Sequence, residues 1–207
     1  MPESDLTLLI DAALAAGDIA KKFNGADAVR WDKPDVAGPV TEADLAVNEK
    51  LERRLRSARP GYGWLSEETE DSAARLNKDT VFIIDPIDGT RSFVEGSRTW
   101  AHALAIAHKG VVTAAVIYLP LRDKLYAASK GQGATLNGKT IAASPRRDLP
   151  GSSVLAARPN LDAQHWPGGV PDINRSHRPS LAYRMSLVAE GRYDAMLTLR
   201  DSWDWDI

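Results

Sequence analysis

The chain has no cysteine among its 207 residues, so disulfides, thiolate metal sites and a thiol nucleophile are excluded. It has no excess of basic charge either: 26 Lys and Arg stand against 28 Asp and Glu, a formal net charge of −2. That balance gives no case for nucleic acid or an anionic membrane as partner. No apolar run approaches the roughly 20 residues that span a bilayer. The first residues, MPESDLTLLIDAALAAG, carry acids where a secretory leader needs positive charge, and a cytoplasmic protein is expected. Internal repeats and low-complexity segments are missing. His102, His108, His165 and His177 show no ligand spacing, and His102 reads as a packed strand residue.

What is present is the composition of an ordinary globular protein, 43% hydrophobic and 26% charged. Leu6, Leu9, Ile10, Ala13, Ala16 and Ala20 recur at helical spacing. They predict a helix from a Ser4 cap to about Phe23, stopped by Asn24-Gly25. A loop with Pro34, Gly38 and Pro39 precedes a second helix capped by Thr41, with a stripe of Val47, Leu51, Leu55 and Ala58. The period then shortens. GWLSEE, TVFIID, WAHALAIAH, VVTAAVIYL and KLYAAS read as strands, the second apolar on both faces. Lys109-Gly110 and Asn137-Gly138 mark hairpins. SVLAA at 153–157 is a further strand, 158–180 a loop, Ser180 to Glu190 a helix, and Tyr193 to Leu199 a last strand. A helix pair, an antiparallel-looking sheet and a more alternating second half predict a layered α/β architecture. Its joint falls near residue 145, with residues 1–145 an α+β unit and 146–207 the start of a second.

One stretch stands out. In VFIIDPIDGTRSF, residues 81–93, four apolar residues run into Asp85 and Asp88 at the mouth of a buried strand. A carboxylate there costs several kcal/mol unless paired or coordinated. Pro86 and Gly89 allow the loop to fold back so that both acids face one spot, where a cation must separate them. Oxygen donors without sulfur or imidazole favour Mg²⁺, with Mn²⁺ as a substitute, and the Ile87 carbonyl adds another oxygen. The same five residues read equally well as an Asx-stabilised surface turn. Glu67-Glu68 after a strand, Asp44 on the apolar side of the second helix, and Asp206 between Trp205 and Ile207 tip the reading toward a shared site. Each has a bland role, but four bland roles at once are less economical than one site.

At this point the chain resembles the inositol monophosphatase superfamily of metal-dependent phosphomonoesterases. DPIDGTRSF is similar to that family's Asp-Pro-hydrophobic-Asp-Gly-Thr signature, LSEET to its upstream Glu-Glu, VTEAD to its Val-Thr-x-x-Asp, and WDI to its C-terminal Trp-Asp motif. The resemblance implies a layered αβαβα sandwich. It implies two or three Mg²⁺ ions held by Glu67, Asp85, the Ile87 carbonyl, Asp88 and Asp206. Thr90, backed by Asp44, matches the pair that orients or deprotonates the attacking water, with Glu67 also catalytic. Asp88 and the backbone of Gly89 and Thr90 would hold the substrate. Direct in-line attack without a phosphoenzyme follows, since charge neutralisation and positioning carry such a reaction.

Arg91 and Arg184 stand where bisphosphate nucleotidases of the resembled family typically carry basic residues, and Leu199 where its inositol enzymes usually place a Glu. The resemblance therefore leans toward the bacterial 3′(2′),5′-bisphosphate nucleotidase branch, whose second phosphate needs a second cation. The expected substrate is therefore 3′-phosphoadenosine 5′-phosphate, hydrolysed to AMP, ahead of inositol 1-phosphate or histidinol phosphate. Arginine on a helix is more often a surface residue, the bland alternative for Arg184. Trp31, Trp64 and Trp100 read as core residues, Trp166 as a candidate adenine platform, and SPRRD at 144–148 as a solvated linker.

The resembled family continues past its Trp-Asp motif, whereas this sequence stops at Ile207. A fragment with weak metal binding and slow turnover is expected, since a penultimate ligand frays. The partner expected is a small phosphorylated metabolite, with no nucleic acid and no membrane; homodimers are usual in the family. A cation-binding interaction protein is the rival from another class, and an inactive fragment is a third reading. Thr90 with Asp44 separates them, since a structural metal loop needs neither.

Overall fold

Ser4 Oγ accepts the Thr7 N–H, and the first helix, α1, runs from Asp5 to Ala20. The computed structural model describes residues 3–23, 25, 27–32 and 39–206. Asn24 of the expected helix stop, Pro34 and Gly38 of the expected loop, and Ile207 of the Trp-Asp-Ile motif lie outside the described residues, as do Met1 and Pro2. A short antiparallel pair, β1 (Arg30–Asp32) and β2 (Pro39–Thr41), occupies ground read as loop. Helix α2 (Glu42–Ala58) starts at Thr41 with a reciprocal cap. The Thr41 side chain takes the Asp44 N–H, and the Asp44 carboxylate takes the Thr41 N–H.

The strands that follow are β3 (Gly63–Ser66), β4 (Thr80–Asp88), β5 (Ala101–His108), β6 (Val111–Leu119), β7 (Lys124–Ser129), β8 (Gly133–Leu136) and β9 (Lys139–Ile141). They form one seven-stranded sheet in sequence order. Between β4 and β5 lies the single-turn helix α3 (Thr90–Val94). The hairpin at Asn137-Gly138 has φ of 48° and 75°, the paired left-handed torsions of a type I′ turn. Alternate residues of the central strands, Phe82 and Ile84, Leu104 and Ile106, Ala114 and Val116, pack on Leu8, Leu9, Ala12, Val47, Leu51 and Leu55. The helix pair therefore covers one face of the sheet. Truncating a fully buried leucine there to alanine would cost about 2–5 kcal/mol.

The second part contains β10 (Ser152–Ala156), β11 (Ile173–Ser176), helix α4 (Leu181–Ala189) and β12 (Ala195–Leu197), the strands in the order β11-β10-β12. Tyr183 and Leu187 of α4 share a core with Ala101 and Tyr126 of the large sheet and Leu155 of the small one. Helix α4 thus packs against both sheets, and the result is the mixed α/β sandwich that was expected. Glu190, just past α4, ties the layers further through Lys124 Nζ at 3.1 Å and Tyr126 OH at 2.9 Å. Among the described residues, no helix is long and apolar enough to cross a membrane.

Several expectations are corrected. The large sheet is not wholly antiparallel, because β3 pairs parallel to β4, and the small sheet is parallel throughout. The loop at 158–180 contains β11, whose four residues, INRS, carry one apolar side chain and gain their strand from pairing with β10. Helix α1 ends at Ala20 rather than Phe23, and the last strand is three residues long. Trp31 is 48% exposed on its two-stranded ribbon, whereas Trp64 and Trp100 are buried.

Candidate active site and metal centre

In a regular strand, residues three apart point to opposite faces. Asp85 and Asp88 nevertheless converge. The reason lies in the register: Asp85 stands opposite Ala103 and Asp88 opposite Ala101, so Pro86 and Ile87 together face His102 alone. This is a bulge, and the extra residue returns Asp88 to the side of Asp85. Ile84 and Ile87 both enter the helix-covered core. The chain next to the bulge turns through Gly89, whose φ of 93° suits glycine, into α3.

Asp206 joins from the far end of the sequence. It lies in a 3₁₀ turn, Asp204–Asp206, with Oδ2 accepting the Trp203 N–H at 2.9 Å. One carboxylate oxygen each from Asp85, Asp88 and Asp206 lie within 4.8 Å of one another. Glu67 follows β3, pinned by its N–H to the Ile84 carbonyl at 3.1 Å, and its carboxyl lies beside that of Asp85. Burial raises the Asp85 pKa well above the usual carboxylate range, reinforced by Glu67 and Asp88. Burial likewise pushes Asp88 up to about 6 and raises Asp206. Asp85 Oδ1 is buried without a hydrogen-bond partner among the described residues.

Asp88 has a second set of contacts that sequence reasoning missed. Ser180 Oγ donates to it at 2.5 Å, Ala182 N–H at 2.7 Å and Leu181 N–H at 3.3 Å. Ser180 was legible as the start of a helix, but the acid that α4 would meet was not. The start of α4, with its positive dipole end, is docked on the acid from β4.

Asp44 and Thr90 meet as expected. Thr90 Oγ1 donates to Asp44 Oδ1 at 3.2 Å and shares its proton with the Ile87 carbonyl at 3.1 Å. Asp44 Oδ2 accepts from Thr41 N–H at 2.8 Å and from Thr41 Oγ1. One carboxylate therefore serves two duties, capping α2 with one oxygen and facing Thr90 with the other. Burial raises its pKa, partly offset by Thr41 and Thr90.

Arg184 departs from the surface role that arginine usually takes. It is 8% exposed, its Nε has no partner among the described residues, and Asp88 stabilises its charge against burial. Arg184, Arg175 and Arg178 all lie near enough to His177 to lower its pKa, after burial. Arg91 is exposed on α3, and Leu199 is exposed. Trp166 is half-buried with Nε1 bonded to the Asn160 carbonyl at 2.9 Å, a contact within its own loop.

The acids fit a hard divalent cation. All donors are oxygens, three carboxylates converge, and a buried Asp85 oxygen is left unsatisfied where a cation would satisfy it.

Comparison with known proteins agrees with this geometry. The model of the inositol monophosphatase family matches residues 1–207. The chain is 30% identical over 213 residues to an inositol-1-monophosphatase of Rhizobium meliloti, covering 98% of this chain and 79% of the relative. It is 31% identical over 218 residues to the Nus factor SuhB of Pseudomonas aeruginosa, with the same coverage of 98% and 79%. A solved Thermotoga maritima IMPase superposes with a TM-score of 0.83 at 25% identity, over 96% of this chain and 77% of that one.

Proposed function

The chain belongs to the inositol monophosphatase family, and from that premise we propose that Asp44, Glu67, Asp85, Asp88, Thr90 and Asp206 are its phosphate-ester-cleaving machinery. The protein is a metal-dependent phosphoric monoester hydrolase of a Mg²⁺-dependent family. The observation that carries the assignment of residues is the convergence of Asp85, Asp88 and Asp206 beside the Thr90–Asp44 pair.

Glu67, Asp85, the Ile87 carbonyl and Asp88, with Asp206, would hold two or three Mg²⁺ ions. When bound, these would neutralise the phosphate dianion and acidify a water within their reach. The chain's own residues do the rest. Thr90 Oγ1 has its proton directed at Asp44 Oδ1 and the Ile87 carbonyl, which leaves its lone pairs turned outward to receive a proton from the attacking water. Thr90 then passes its own proton to Asp44, whose raised pKa suits a base. Water adds to phosphorus as the ester oxygen leaves and takes a proton from solvent water to become the alcohol, and no side chain is phosphorylated. Gly89 and Thr90 would bear on the phosphate.

The finer reading is a substrate with a second phosphate, of the 3′(2′),5′-bisphosphate nucleotide type. Its support is Arg184, buried beside Asp88 with an unused donor and with Arg200 close by. An arginine so placed engages phosphate bidentately; Arg91 would assist from α3. A second reading, inositol 1-phosphate, is favoured by the name of the Rhizobium meliloti relative. Phosphate release from adenosine 3′,5′-bisphosphate, inositol 1-phosphate and histidinol phosphate, with and without Mg²⁺, separates them. Faster turnover of the inositol ester would refute the nucleotide reading, and release in excess chelator would refute the metal mechanism.

A further inference from the structure

The bulge that brings Asp85 and Asp88 together removes a stretch of backbone pairing, and Pro86 has no N–H to repair it. The carbonyl of Pro86 is nevertheless satisfied. His102, the one residue of β5 opposite the bulge, is fully buried and places Nδ1 2.5 Å from that oxygen. A carbonyl can only accept, so Nδ1 carries the proton and Nε2 is the bare nitrogen, buried without a partner among the described residues. Burial lowers the His102 pKa to about 4, which keeps the ring neutral. The ring is wedged edge-on to Trp100 at 5.5 Å and tilted against Tyr118 at 6.3 Å, so its direction is fixed by packing.

We propose that His102 is a positioning residue for the metal-binding loop, its Nδ1–H replacing the ladder bond that the bulge removes and thereby fixing where Asp85, the Ile87 carbonyl and Asp88 point. The inference rests on the reading of those acids as metal ligands. Packing alone would be served equally well by phenylalanine; the imidazole adds a donor at the Pro86 carbonyl, between the two acids. Partners one step behind metal ligands typically change affinity by about 10- to 100-fold when removed.

The test is Mn²⁺ binding, read by electron paramagnetic resonance of the free ion, in wild type, His102→Phe and His102→Asn. Phenylalanine keeps the ring and loses the donor, and is expected to weaken binding about tenfold or more. Asparagine places an amide N–H near the Nδ1 position and is expected to stay within about threefold of wild type. A His102→Phe protein with wild-type affinity, or a His102→Asn protein as weak as His102→Phe, overturns the proposal while leaving the metal reading intact. A wild-type chain that binds no Mn²⁺ defeats the metal reading and the proposal with it. Should His102→Phe fail to fold, the ¹⁵N spectrum of the wild-type ring decides: an Nδ1–H tautomer is expected, and an Nε2–H tautomer overturns it.

Discussion

Asp88 is held by three donors of α4 and is still more expensive to ionise than a free carboxylate. Its pKa rises from an ordinary 3.8 to about 6 because burial outweighs the hydrogen bonds of Ser180 and Ala182. The folded value lies above the unfolded one, so the protonated acid favours folding. That stability is present in full below about pH 4 and is lost as the pH rises through about 6. The rise corresponds to about 3 kcal/mol, of which about 2 kcal/mol falls between pH 4.5 and pH 7. Asp88→Asn is neutral throughout and removes that dependence. Whatever the amide loses in hydrogen bonds to α4 is the same at both pH values, so the pH-dependent part isolates the charge. Urea unfolding in chelator, followed by tryptophan fluorescence, should show the variant gaining about 2 kcal/mol on wild type between pH 4.5 and 7. Excess Mg²⁺ at pH 7, at about 100 times its dissociation constant, should return about 2.7 kcal/mol to wild type and far less to the variant. A gap between the two proteins that does not change with pH in chelator would refute the reasoning, as would an undiminished Mg²⁺ response in Asp88→Asn.

Thr90→Val should lower kcat about 10²- to 10⁴-fold and cost about 1–3 kcal/mol of stability, because the buried Asp44 carboxylate and Ile87 carbonyl lose a donor. Asp44→Ala should lose activity and also about 0.5–2 kcal/mol of stability, since the same carboxylate closes the cap of α2. Ser180→Ala, which uncaps α4 and strips a donor from Asp88, should cost about 0.5–2 kcal/mol in urea denaturation. Arg184→Ala should raise KM for a bisphosphate nucleotide at least tenfold more than for inositol 1-phosphate in steady-state assays; equal effects on both would refute a second-phosphate role.

Much of the fold was legible because it is written in short-range chemistry. Ser4 and Thr41 cap the helices they were expected to cap, a helix begins next to Ser180 as expected, and Asn137-Gly138 turns the hairpin its torsions require. The parallel pairings were not legible. Nothing within GWLS or INRS says which neighbour it will lie beside, and a strand of one apolar residue in four has no period to read. The burial of Arg184 was not legible for the same reason, since helical spacing does not reveal which layer will cover a helix face.

The sequence by itself determined the donors: oxygen only, no thiol, two acids three residues apart around a proline, and a threonine able to reach an acid on a helix. Only the tertiary structure decided that they meet. A bulge opposite His102 turns Asp88 to the side of Asp85, the 3₁₀ turn brings in Asp206 from over a hundred residues away, and α4 docks its first N–H groups on Asp88. Side-chain chemistry is a property of each residue, but a charge cluster is a property of distances, and those are set by packing between segments that share no local signal.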